Sequence, residues 1–151
     1  MDFRTVVDKQ SFGVRATGLL VKDEKLLLVK SPEGKYCTLG GAIQVGETTE
    51  AAIRREILEE IGIEVEVGPL AFVVENQFEL GSQAYHQIEF HYLLTPLSEP
   101  SLYMKEGQSI RQCEWVDFSD LEKLDLSPKF LKKELVNWQG QVKQIIDNES
   151  Q

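Results

Sequence analysis

The stretch from Thr48 to Ile61 constrains this chain more than any other. Ile53, Ile57 and Ile61 recur every fourth residue, and at about 100° per residue they fall in one narrow arc of a helix. Thr48 or Thr49 suits the N-cap, and Gly62 stands where a glycine ends the last turn. Glu56, Glu59 and Glu60 occupy the adjacent arc, because spacings of three and four put side chains on the same face. Ala52, a turn earlier, leaves space beside them. Such a helix must lay its isoleucine stripe on another layer of structure. Each like-charge pair on its glutamate face costs about a few tenths of a kcal/mol. A hard divalent cation with oxygen ligands removes that penalty. A glutamate-rich face is nevertheless more often a solvated surface, so the helix alone does not establish a metal site.

The flanking segments supply the layer. Ser11 to Val21 and Lys25 to Lys30 have strand composition, joined by a turn at Asp23-Glu24. Ser31 to Gly34 is a loop by composition, and a short extended piece, Tyr36 to Leu39, leads into Gly40-Gly41. After the helix, strands are expected at Ile63 to Val67 and Leu70 to Phe78. Gly81-Ser82 forms a hairpin tip and Tyr85 to Leu94 the returning strand. Gln112 to Val116 is a further strand and Ser119 to Leu124 a short helix. Pro128 opens a last helix running to about Trp138. Val142 to Ile146 fits either a late strand or a helical extension. With no repeat, low-complexity segment or linker, residues 1–151 are expected to form a single domain. Its class is α/β, a mixed sheet clasped between helices.

Charge limits the partners. A formal net charge of −9 repels long nucleic acid, whose binding depends on Lys and Arg contacts to phosphate. A small phosphorylated ligand remains compatible, because a bound divalent cation reverses the local field. No apolar run approaches the ~20 residues that cross a bilayer, so no membrane partner is expected. The N-terminus lacks the apolar run of a signal peptide, and the two cysteines, Cys37 and Cys113, are expected to be reduced. These features together predict a cytoplasmic protein.

The helix sits in a longer frame. Gly41 is followed after five residues by Glu47, then after seven more by Arg55-Glu56-Ile57-Leu58-Glu59-Glu60-Ile61-Gly62-Ile63. This frame resembles the Nudix box at every specified position from Gly41 to Ile63. The resemblance implies the Nudix α/β/α sandwich, with the box (41–63) as its loop–helix–loop. It implies that Glu56, Glu59 and Glu60 bind a divalent metal, usually Mg²⁺, with Mn²⁺ as the alternative. It also implies that Glu47 and Arg55 bridge loop and helix and hold those carboxylates, since ligands need orientation as well as charge. Gly40 and Gly41 fall where backbone comes close to metal or substrate phosphate, a position glycine suits.

By the same resemblance, the activity is hydrolysis of a pyrophosphate linkage in a nucleoside diphosphate derivative, either an NTP or dNTP or an NDP-X. The products are a nucleoside monophosphate and X-phosphate or pyrophosphate. The metal can bridge phosphate oxygens, lower the pKa of a bound water and orient the attack. Glu106, in Met104-Lys105-Glu106-Gly107-Gln108, is the first candidate for general base. That segment looks like the Lys-Glu-Gly-Gln of MutT-type members and is expected in a loop. Glu59 or Glu60 is the alternative base. Glu79 and Glu89 in the central hairpin are weaker rivals, because strand alternation can place them on a solvent face. His86 and His91 suit surface or packed core.

Two departures bear on substrate. Tyr36-Cys37-Thr38-Leu39-Gly40-Gly41 replaces the Trp-x-Leu-Pro-Gly-Gly of many MutT-like members, which weakens assignment to the oxidised-nucleotide sanitising branch. Gln77-Phe78-Glu79-Leu80 lacks both the proline of the ADP-ribose branch and the tyrosine of the dinucleoside polyphosphate branch. The expectation is an active pyrophosphohydrolase on a small nucleotide-type substrate. A catalytically silent Nudix-fold nucleotide-sensing module is the alternative, opposed by the intact set Glu47, Arg55, Glu56, Glu59 and Glu60. Homodimers are common in the family, though no stretch here specifies an interface.

Overall fold

The computed structural model of the protein describes residues 1–148, so residues 149–151 of the expected domain lie outside the described residues. The chain begins β1 (Arg4–Val7), β2 (Gln10–Lys22), β3 (Lys25–Lys30), β4 (Lys35–Cys37), β5 (Leu39–Ala42) and α1 (Thr49–Ile61). It continues with β6 (Val65–Leu80), β7 (Gln83–Pro96), β8 (Tyr103–Glu106), β9 (Ser109–Asp117) and a 3₁₀ helix (Phe118–Lys123). The remainder is β10 (Asp125–Ser127), α2 (Leu131–Glu134) and β11 (Lys143–Asn148).

The strands form a mixed sheet whose main path is β10-β4-β3-β2-β7-β6-β11. β1 and β5 also pair with β2, and β9 joins β3 to β8. Long β2 serves both halves: Gln10 to Leu20 runs parallel to β7, while Val21 and Lys22 pair with β3. The leucine run of β3 is buried on both faces, as expected of a strand covered on two sides. Leu27 and Val29 join Ala52, Ile53, Ile57 and Ile61 of α1 in one apolar layer. Leu26 and Leu28 join Leu121, Leu131 and Leu135 in the layer on the other face. Each fully buried Leu or Ile contributes roughly 1.5–3 kcal/mol, so the isoleucine stripe anchors α1 firmly. The result is the expected α/β architecture, with helical cover on both faces of a mixed sheet.

Several boundaries differ from expectation. β6 is one strand where two were predicted; its register shifts between Val67 and Leu70 and again before Phe72. Gly68 permits that irregularity, since a Cβ there would lie 2.8 Å from the Leu93 carbonyl oxygen. The last helix is a single turn that starts three residues after Pro128 and ends at Glu134. The chain breaks away because Trp138 Nε1 donates to the Gln141 carbonyl at 2.7 Å and Gly140, at φ 89°, turns it toward β11. The tail is therefore a strand, parallel to β6. β8, pairing with β9, replaces the loop expected around Glu106. β1 pairs with β2 although no element was predicted there, and all four of its residues are exposed.

Cys37 and Cys113 each pair with Val29 from opposite sides of β3. Two strand spacings, about 9.6 Å, separate them. That exceeds the ~7 Å Cα limit for a disulfide, and both thiols are free. Among the described residues no helix is long and apolar enough to cross a membrane.

Candidate active site

Helix α1 is held at both ends by local chemistry. Thr48 Oγ1 accepts from the Ala51 N–H at 3.1 Å, and Gly62, at φ 71°, donates its N–H to Leu58 O at 3.0 Å. Burying the isoleucine stripe turns the glutamate arc toward β5 and β8. Glu60 is 5% exposed, and its Oε1 accepts the Gly40 N–H at 3.1 Å. At Gly41 a Cβ would come within 2.5 Å of the Glu56 carboxyl group. At Gly40 a Cβ would collide with the Ala16 backbone, and its φ of 144° is strained for any other residue. Both glycines are thus required by close approach.

Arg55 organises the carboxylates around it. Its Nη2 and Nε donate to the two oxygens of Glu47 at 2.6 and 2.9 Å. Its Nη1 donates to Glu56 at 2.9 Å and to Glu59 at 3.3 Å, and Nη2 also reaches the Ala42 carbonyl at 3.2 Å. Glu47 in turn accepts the Gln44 N–H at 2.8 Å, which closes the loop onto the helix. The Arg55 guanidinium holds Glu47 below its ordinary pKa, and Glu47 raises that of Arg55. Burial raises Glu56, against the opposing pull of Arg55. Burial, reinforced by the charge of Glu56, pushes Glu60 up to about 8 despite the Gly40 N–H.

Among the described residues, no three His, Cys, Asp or Glu side chains already surround one point as a coordination shell. The reason is visible: Arg55 engages Glu56 and Glu59. The donor chemistry still fits a hard divalent cation, because every candidate ligand offers carboxylate oxygen. Glu60 is buried with one backbone donor, and Glu59, 59% exposed at its side chain, has room to rotate inward.

The carboxylates open into a cleft of about 860 Å³. Gly40, Gly41, Glu56, Glu59, Glu60 and Glu106 all line it. Glu47 and Arg55 are not part of this lining. Glu106 comes from the end of β8, and its charge contributes to raising Glu60. Lys105 and Arg111 of the β8–β9 hairpin add cations to the wall, and Arg15 adds one to the floor. A glutamate triad beside these cations has the chemistry to bind a metal-complexed polyphosphate.

The NUDIX domain family model matches residues 13–139. The chain is a member of the Nudix hydrolase family. It is 28% identical over 131 residues to an ADP-ribose pyrophosphatase of Methanocaldococcus jannaschii, a match covering 84% of this chain and 75% of that protein. A crystal structure of a UDP-X diphosphatase superposes with a TM-score of 0.64 at 26% identity, covering 88% of this chain and 66% of the other. The MutT protein of Bacillus halodurans superposes with a TM-score of 0.70 at 18% identity, covering 87% and 86%, and shows the shared fold.

Three polar residues of this Nudix cleft escaped sequence reasoning or were misplaced by it. Asn76 gave no local signal, and Arg15 only its place in the alternation of β2. Glu89, expected on a solvent face, is 5% exposed and bonded to His91 and Asn76. Its face is covered by the cleft and by the second apolar layer, whereas Glu79, nearer the hairpin tip, is exposed. His91 is wholly buried core, its ring set against Phe72 and Phe130. The available signal was polar residues at every second position, Arg15 and Thr17 on β2 and Gln87, Glu89 and His91 on β7.

Proposed function

We propose that the chain hydrolyses the pyrophosphate linkage of a small nucleoside diphosphate derivative, with Glu56, Glu59 and Glu60 holding Mg²⁺. The observation that carries this reading is the buried Glu60 carboxyl group, anchored by the Gly40 N–H beside Glu56 in a cleft that also carries Arg15, Lys105 and Arg111. A bound divalent cation there supplies charge neutralisation at the phosphates and a more acidic water. Glu47 and Arg55 keep the ligand carboxylates in place. Gly40 and Gly41 let the phosphates approach the backbone, and Lys105 and Arg111 attract them. Glu106 faces the same space and takes the proton of the attacking water as its oxygen bonds to phosphorus. The bridging P–O bond breaks, and the leaving phosphate departs with its electron pair. Residues 1–151 act here as one cytoplasmic domain.

The archaeal relative and the UDP-X diphosphatase support an NDP-X substrate. The missing proline within Gln77 to Leu80 stands against the ADP-ribose branch in particular. The test is a screen of purified protein with Mg²⁺ against nucleoside triphosphates, nucleotide sugars, ADP-ribose and dinucleoside polyphosphates. Release of a nucleoside monophosphate, abolished by excess chelator, is expected. Nucleotide binding without product release would instead identify a sensing module, and hydrolysis undiminished in chelator would defeat the metal mechanism.

A further inference from the structure

The floor of the cleft carries a second polar cluster, separate from the α1 carboxylates. Arg15 and Glu89 are register partners on β2 and β7, about 4.8 Å apart between strands. Asn76 and Gln87 are partners in the neighbouring row, and all four residues line the cleft. Glu89 is 5% and Asn76 9% exposed, so this is a built arrangement and not a solvated surface. Glu89 Oε2 accepts from Asn76 Nδ2 at 3.0 Å, and Oε1 bonds His91 Nε2 at 2.8 Å. Burial keeps His91 neutral, which makes Nε2 the donor and fixes the carboxylate from behind.

The cluster is incompletely satisfied from within the protein. Each Glu89 oxygen keeps a second acceptor site. Asn76 Oδ1 and Arg15 Nε are buried without any partner. An unmade buried hydrogen bond costs roughly 1–3 kcal/mol, so a ligand group that completes the cluster is favoured. That group must donate to Glu89 or Asn76 and accept from Arg15. A hydroxyl does both through a single oxygen, which neither a nucleobase amino group nor an ionised phosphate can do. The Glu89 charge also repels phosphate, whereas a divalent cation held by the α1 carboxylates would attract it. A carboxylate paired with a ribose hydroxyl is an established way of reading that sugar.

We propose that Arg15, Asn76 and Glu89 bind the vicinal diol of a pentose in the substrate, making the enzyme selective for ribose over deoxyribose. The inference rests on the hydrolytic reading above. The diol belongs either to the nucleoside ribose or to a terminal ribose in X, and kinetics separate the two. Turnover with Mg²⁺ is compared for ATP against dATP, and for ADP-ribose against its analogue lacking the 2-hydroxyl of the terminal ribose. In one of the pairs the hydroxylated substrate is expected to win by roughly tenfold or more in kcat/KM, mainly through KM. The pair that shows the preference identifies the ribose.

Glu89→Gln is expected to shrink that preference to about twofold, by loss of the charged acceptor. Equal kcat/KM within both pairs for the wild type overturns the proposal, as does a preference that Glu89→Gln leaves intact. If that variant lacks a cooperative melt, Asn76→Ala is held to the same criterion. If no nucleotide is turned over, the hydrolytic reading fails separately. Calorimetric binding of ribose 5-phosphate against 2-deoxyribose 5-phosphate then decides the diol site, and equal affinities refute it.

Discussion

Arg55 is the residue on which the geometry of the candidate site turns. One planar guanidinium reaches Glu47, Glu56, Glu59 and the Ala42 carbonyl, which ties the loop after β5 to the helix. A lysine carries the charge without the fork. Arg55→Lys is expected to lower kcat by roughly 10–100-fold while far-UV circular dichroism stays unchanged; an unaltered kcat would show that the carboxylates hold their places without it. Glu60 poses the opposite case, a buried charge with one backbone donor and no partner cation of its own. Glu60→Gln removes the charge and keeps the volume, so turnover should vanish with the fold intact. In excess chelator, above the raised Glu60 value of about 8, the variant should melt a few degrees higher than wild type. Added Mg²⁺ should raise the wild-type midpoint more than that of the variant, and a variant that melts lower in chelator contradicts this account.

The Glu89–His91 pair sets a pH dependence of definite sign. Burial holds His91 below its ordinary 6.5. Burial alone would raise Glu89, but its bonds from His91 and Asn76, with nearby positive charge, outweigh that and hold it below 4.5. The unfolded chain therefore binds a proton below 6.5 that the native imidazole refuses, and another below 4.5 that the native carboxylate refuses. This contribution to stability is complete above 6.5, declines as pH falls through that value, and declines again below 4.5. Glu56, Glu60 and Asp147, raised by burial, add the opposite trend, so the measurement is the difference in thermal midpoint between wild type and His91→Gln, which should shrink as pH falls below 6.5. A difference that grows on acidification from neutrality would reject it.

At the scale of elements, α1 shows why a helix is the most legible part of a chain. Its cap, stripe and terminating glycine lie within a few residues of one another, so their interactions follow from spacing. Thr48 and Gly62 cap it as expected, and the isoleucines are buried as expected. Ile57→Ala, which empties a fully buried site in the apolar stripe beside the carboxylates, should cost roughly 2–5 kcal/mol by chemical denaturation. Leu58→Ala, at a side chain 52% exposed, should stay within about 0.5 kcal/mol. Similar losses at the two positions would mean that the helix is seated differently. Strand and loop boundaries were less legible. The join within β6 depends on a glycine close to a neighbouring strand, and the early end of α2 depends on Trp138 meeting a carbonyl three residues away.

For the whole molecule, the decisive contacts connect distant parts of the chain. β11 pairs with β6 from Lys143 to Asn148 and places Ile145 in the second apolar layer. Truncation after Gln141 should lower the thermal midpoint and expose the β6 edge, with aggregation on concentration as the readout; a truncated chain that melts and remains monomeric like the parent would show that the strand contributes little.

The sequence by itself determined the Nudix-box frame from Gly41 to Ile63, the α1 register and the α/β class. Those depend on short-range spacing, which backbone geometry converts directly into shared faces. The tertiary structure alone decided that Glu89 lies in the cleft and Glu79 outside it. It alone gathered Arg15, Asn76 and Glu89 from three strands, and put Glu106 across from Glu60. Alternation along a strand tells which residues share a face, but which face meets solvent depends on what packs above it. Here that cover comes from α2, β10 and the β8–β9 hairpin, all remote in sequence from the residues they enclose.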